Sequence, residues 1–301
     1  MVLEVLKEGY PLPPLRHNGP FLIGVSTLLF GFHAVSVRWG SAYVPPVELA
    51  FFRSFGHALI ILVLAGVGTI ALSIGNRRLL LWRGLFGGAA VVLYYMAICR
   101  IGAGPATLLT YTFPIFATLF SALFAREPLT PKTGGALGVA VGGVGLILGH
   151  EGLGISLGDV MGISAGIFSG AAISTVRELR KTDSAWSIFF YFAAVGSVMT
   201  APALPFTSPV WPGFIGFVGI GAIIVTSFGG QILMTYAYRW TTAAEGSTVS
   251  LLTSVHAAVL GAAFFGEPIT PRLVVGGALV IAAGAWLTLS AKPAEAPERP
   301  V

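Results

Sequence analysis

The chain has 301 residues, 55% hydrophobic and only 10% charged, with a formal charge of +5 and a mean hydropathy of +0.86. A soluble domain carries about 25% charged residues, so a water-exposed surface cannot be made from so few, and a soluble enzyme is excluded. The scattered positive excess does not form a nucleic-acid face, and a single cysteine rules out a disulfide framework or a cysteine metal site.

Ten apolar stretches follow one another, at about 20–38, 47–72, 79–99, 104–125, 133–149, 157–176, 185–204, 213–237, 243–265 and 272–290. They predict an all-α polytopic membrane protein of ten transmembrane helices with the lipid bilayer as solvent. Residues 1–19 read as a cytoplasmic tail, not a secretory signal: Glu4, Lys7 and Glu8 precede Pro11, Pro13 and Pro14, and no small-residue cleavage site follows the first span. Residues 291–301, rich in proline and charge, read as a second cytoplasmic tail. Glycines four apart at Gly84/Gly88, Gly138/Gly142 and Gly162/Gly166/Gly170 are expected to let helix backbones approach closely. With the N-terminus inside, thirteen basic residues, Arg83 among them, fall on the cytoplasmic side, and only Arg38, Arg100 and Arg272 on the outer side. That asymmetry fixes the expected orientation, with both termini cytoplasmic.

The chain also repeats itself. Phe124-Ala-Arg-Glu127-Pro128-Leu-Thr130-Pro131 recurs as Phe264-Phe-Gly-Glu267-Pro268-Ile-Thr270-Pro271, five of eight positions identical at an offset of 140. A fainter match at an offset of 138 pairs Gly24, Ser26, Phe30, Ala34 and Ser36 with Gly162, Ser164, Phe168, Ala172 and Ser174. Two repeats follow, residues 20–149 and 157–290, each with five helices. Five is odd, so the second repeat is expected to be inverted relative to the first, as in transporters that alternate between two related states.

The five-plus-five layout with its Glu-Pro-x-Thr-Pro joint, together with Pro45-Pro46, Glu48 and Arg53 in the second span, resembles the ten-helix EamA-type members of the drug/metabolite transporter superfamily. More narrowly, the chain is similar to YddG-type bacterial amino-acid exporters. The resemblance implies an inner-membrane protein with a central cavity lined by helices 1, 3, 4, 6, 8 and 9, with 5 and 10 packed outside. It also implies export of aromatic and other neutral amino acids by alternating access. The alternatives are an exporter of another metabolite or a hydrophobic drug, a passive channel, or an integral-membrane enzyme.

Polar residues at helical spacing mark candidate substrate contacts. These are His33 on the first span, Tyr94 and Tyr95 on the third, and Thr110 and Tyr111 on the fourth. Gln231 and Thr235 on the eighth and Ser250 and Ser254 on the ninth complete the set. For each serine or threonine the competing reading is a hydroxyl bonded to its own helix backbone. Arg53 can clamp a carboxylate or hold its helix; the structural role is favoured, with Glu48 a candidate partner. Pro114 in mid-span frees a carbonyl and bends its helix, while Pro128 and Pro268 are expected to be stiff joints. The first span lacks the membrane-embedded Glu that small multidrug relatives use for proton exchange, and no His-Glu-x-x-His or phosphate-binding Gly loop occurs. No cofactor or metal is expected, no catalytic residue is assigned, and the cargo suited to such a path is a small uncharged or zwitterionic metabolite.

Overall fold

The computed structural model describes residues 19–124, 131–148, 154–179, 182–207, 212–237 and 249–290. Residues 1–18 and 291–301 of the expected tails and the Glu127-Pro128 joint lie outside them. The described residues are helical throughout, without strands: α1 (Gly19–Gly40), α2 (Pro46–Gly66), α3 (Arg77–Ile101), α4 (Ala103–Thr110), α5 (Phe113–Phe124), α6 (Pro131–Ile147), α7 (Leu157–Ser174), α8 (Val176–Leu179), α9 (Ala185–Thr200), α10 (Gly213–Ala237), α11 (Leu252–Phe265) and α12 (Pro271–Ser290). By length and composition, α1, α2, α3, α7, α10 and α9 with the 3-10 turn after it can each cross a bilayer, and shorter apolar helices lie within α6, α11 and α12.

The fourth expected span is two helices. Pro114 has no N–H to give and its ring excludes the carbonyl four residues back, so the chain turns at Tyr111 and Thr112 and restarts as α5. The Thr112 hydroxyl bonds the Leu109 carbonyl at 2.5 Å, meeting one acceptor at the break. The ninth span is interrupted at Leu251, the position equivalent to Tyr111 under the 140-residue offset, although no proline stands there. There the Ser254 hydroxyl bonds the Leu251 carbonyl at 2.7 Å.

Glycines set the close seams. On α7, a Cβ at Gly162, Gly166 or Gly170 would strike Leu109, the Leu109 carbonyl and Phe116 respectively, so this stripe is moulded to the α4–α5 break. On α3, a Cβ at Gly88 would lie 3.0 Å from the Gly196 Cα of α9. The Gly138/Gly142 pair does not pack: both face open space. Its helix is seated instead through Gly143, against Gly276 of α12, where an added Cβ on either glycine would come within 2.8 Å of the other's carbonyl. A spacing of four identifies small residues but not the direction they face.

The packing crosses between the two halves. Helix α1 lies on α10 and α11, α3 and α4 lie on α7, and α2–α9, α4–α11 and α6–α12 form direct pairs. Exchanging each helix with its counterpart five spans later maps this set of pairs onto itself.

At one end of the bundle the α2–α3 turn is tied to the approach to α9. The Asp183 carboxylate accepts the backbone N–H groups of Gly75 (2.7 Å) and Asn76 (3.1 Å) and the Thr182 hydroxyl (2.6 Å). Asn76 in turn caps α3. Burial opposes the charge on Asp183, but the Thr182 hydroxyl and the two N–H donors outweigh it and hold the carboxyl below its ordinary range. A depressed folded value means that this stabilisation is complete above the unfolded carboxyl value near about 4 and is lost as pH falls through the folded one. Asp183→Ala leaves two backbone donors without their acceptor, at about 1–3 kcal/mol. Its melting temperature in detergent at neutral pH should fall, and the difference from the parent should shrink at acid pH. An equal difference at both pH values would show that the carboxylate charge is not what holds this turn.

Candidate functional site

The repeated joint is intelligible residue by residue. Gly266 ends α11 with φ +64°, a left-handed cap that only glycine adopts without strain, and its N–H returns to the Ala262 carbonyl. The Thr270 hydroxyl accepts the Leu273 N–H, capping α12, and Pro271 occupies its first turn, where a missing N–H is harmless. The Glu267 side chain folds back over Gly261 of α11, where an added Cβ would strike the carboxylate, and caps a third helix. Its carboxylate accepts the Ala103 N–H (2.9 Å) and the Gly104 N–H (3.3 Å) at the N-terminus of α4. Arg38, at the end of α1, approaches the same carboxylate at 3.7 Å and donates to the Cys99 carbonyl at 2.7 Å. One carboxylate thus ties α1, α3, α4 and α11 together, and a cleft lined by Arg38, Arg100, Pro105, Phe265, Glu267 and Pro268 surrounds it.

Deeper in the bundle is a buried polar cluster. The Tyr95 hydroxyl lies 3.1 Å from Nε2 of His33, joining α3 to α1, and the Tyr94 hydroxyl lies 2.8 Å from that of Thr107 on α4. On α2, His57 is fully buried, with Nε2 2.9 Å from the Ser227 hydroxyl of α10 and its ring edge-on to Phe189 and Phe228. Arg53, one turn before His57, has its guanidinium 5.5 Å from the Phe192 ring centre, and Arg83 of α3 approaches the same ring at 4.7 Å. Glu48 is buried in the first turn of α2 and makes no ion pair with Arg53.

The sequence-derived candidates separate into groups. His33, Tyr94 and Tyr95 come together with Arg53. Thr110 is buried with its hydroxyl unbonded, immediately before the α4–α5 break, and half-buried Tyr111 stands in the break with its ring 5.5 Å from that of Phe113. Ser254 and Thr235 bond carbonyls of their own chain, as the competing reading supposed. Ser250 is buried beside the sulfur of Met234 at 3.9 Å, and Gln231 is half-buried on α10. Outside that set, His256 of α11 meets the Thr27 hydroxyl of α1 at 3.1 Å. Pro114 sits at the break, Pro268 in the capped joint, and Pro128 outside the described residues. Three participants escaped the sequence reading. The charge pattern assigns Arg83 to the cytoplasmic side, yet its Nε is buried; Ser227 carries no spacing signal; and Glu267 reads as part of a turn, its repetition at Glu127 being the available clue.

Long apolar helices packed through glycine seams, with polar side chains gathered inside, define a multi-pass membrane protein of the transporter class. The chain belongs to the EamA-like transporter family, whose model matches residues 17–149 and again 156–290. It is 30% identical to the pseudopaline exporter CntI of Pseudomonas aeruginosa, over 94% of this chain and 96% of that one. It is 24% identical to human solute carrier family 35 member G1, over 92% of this chain and 79% of the relative. A solved crystal structure, 19% identical, covers 91% of this chain and 98% of its own with a TM-score of 0.61. That likeness concerns the fold alone.

Proposed function

We propose that this chain exports small metabolites, amino acids foremost, across a bacterial inner membrane by alternating access of two inverted five-helix repeats around one central site. The cargo follows from the likeness to YddG-type exporters, and the direction is that of the exporter from Pseudomonas aeruginosa. The observation that carries the mechanism is the exchange symmetry: helix contacts map onto themselves between halves, and the chain breaks at Tyr111 in one half and at its equivalent, Leu251, in the other. Broken helices facing one another across a repeat boundary are where transporters place their cargo. His33, Tyr94, Tyr95, Thr110, Tyr111, Gln231 and Ser250 supply the polar contacts, and both termini are cytoplasmic.

Counterflow in proteoliposomes tests this reading. A labelled amino acid should accumulate transiently against a trans excess of the unlabelled one; uptake indifferent to the trans solute would exclude a carrier. If the Pro268 joint is a pivot, Pro268→Ala should slow exchange several-fold and leave the half-saturating concentration unchanged. Parental rates would reduce the joint to a capped turn.

A further inference from the structure

Arg53 is 7% exposed, and its Nε is buried without a hydrogen-bond partner. The Nε of Arg83 is buried in the same condition. No carboxylate among the described residues lies within ion-pair distance of either: Glu267 pairs with Arg38, while Asp159 and Asp183 are engaged at the starts of α7 and α9. The two guanidinium groups share the Phe192 ring, and Gly87 makes room for the arrangement. A Cβ there would stand 2.6 Å from that ring and 2.9 Å from Nη1 of Arg83. Arg53 is also within electrostatic range of His33, His57, Tyr94 and Tyr95, and the Nδ1 atoms of both histidines are buried without partners. A membrane-embedded cation is expensive unless something neutralises it. Here two cations stand together with unmet donors and no anion among the described residues.

We infer that Arg53 and Arg83 form an anion site and that the cargo is a small organic acid of net negative charge. This rests on the transport reading and replaces its neutral amino-acid cargo with an acidic one. The planar fork of Arg53 takes a carboxylate through two parallel N–H donors, and Arg83 neutralises the remaining negative charge. The Phe192 ring lies against both guanidinium groups and stacks on Phe189, an aromatic wall to the site. A simple zwitterion fits less well, because its ammonium would stand near two guanidinium groups with no carboxylate among the described residues to receive it.

Purified protein in detergent should be probed with phenylsuccinate, phenylalanine and phenylalaninamide, reading binding by calorimetry, with counterflow of the same solutes in proteoliposomes. Phenylsuccinate should bind at least tenfold more tightly than phenylalanine, and the amide should not bind. Arg53→Gln and Arg83→Gln should each weaken phenylsuccinate at least tenfold, and Arg53→Lys should recover part of the loss. Should the glutamine variants not fold, the comparison of the three probes on the parental protein decides alone. Equal binding of acid and amide, no phenylsuccinate binding, or an unchanged affinity in Arg53→Gln would overturn the anion site. Counterflow of a neutral solute with indifference to Arg53 would leave transport standing without this site; arginine-dependent binding with no counterflow of any solute would reject transport and keep the site.

Discussion

Glu267→Ala should loosen the end of the bundle where Arg38 and Glu267 tie α1, α3, α4 and α11 together. The substitution strands the Ala103 and Gly104 N–H groups at the start of α4 and removes the carboxylate facing Arg38. Losing a helix cap costs about 0.5–2 kcal/mol, and a buried donor without its acceptor about 1–3 kcal/mol. A shift of about 2 kcal/mol changes an opening equilibrium about thirtyfold. Cys99 is a built-in reporter: it is the only cysteine in the chain, half-buried, and its carbonyl holds Arg38. In purified protein, maleimide labelling of Cys99 should therefore accelerate at least tenfold in Glu267→Ala. Glu267→Gln, which keeps an acceptor oxygen but no charge, should fall between. Labelling at the parental rate in both variants would mean that the carboxylate caps a helix and controls no opening. If the two repeats are inverted as proposed, Glu127 serves the opposite end, and Glu127→Ala should leave Cys99 labelling unchanged.

Gly166→Leu should be the most damaging single substitution in the membrane-spanning part. A Cβ at this position would stand 2.9 Å from the Leu109 carbonyl oxygen, 3.2 Å from that of Thr110 and 2.5 Å from the Thr112 hydroxyl. Two of these obstacles are backbone at the α4–α5 break and cannot rotate aside. Overpacking of this kind costs about 1–3 kcal/mol and more when backbone must move, enough to lower the melting temperature by about 5 °C or more and the folded yield several-fold. Gly142→Leu is the control, since nothing lies within 4 Å of its added Cβ, and it should behave as the parent. If the two leucine variants melt together, α7 does not seat against the break as described. Transport by Gly166→Ala should fall even where the protein still folds, because the break it touches adjoins Thr110 and Tyr111.

The architecture was legible because the bilayer imposes it. Spans must be apolar and helical wherever lipid is the solvent, so hydropathy alone pointed to a bundle of membrane-spanning helices, and six described helices are long and apolar enough to cross a bilayer. Pro114 predicted a disturbed fourth span, since a missing N–H is a local fact. The equivalent interruption at Leu251 carries no proline and was invisible. The orientation of glycines was only half legible: Gly84, Gly88 and the α7 stripe packed, while Gly138 and Gly142 did not, because which face of a helix meets a neighbour depends on the neighbour.

The sequence by itself determined what local chemistry determines: a multi-pass membrane protein of apolar helices and the family to which it belongs. Tertiary structure decided everything that depends on partners distant in the chain. Glu267 meets the start of α4 across 164 residues and His57 meets Ser227 across 170, distances over which no periodicity carries information. The same holds for charge. Arg53 and Arg83 look like a helix anchor and a cytoplasmic-side cation when each is read on its own helix, and only the packing of α2, α3 and α9 brings both to the Phe192 ring with no carboxylate among the described residues beside them.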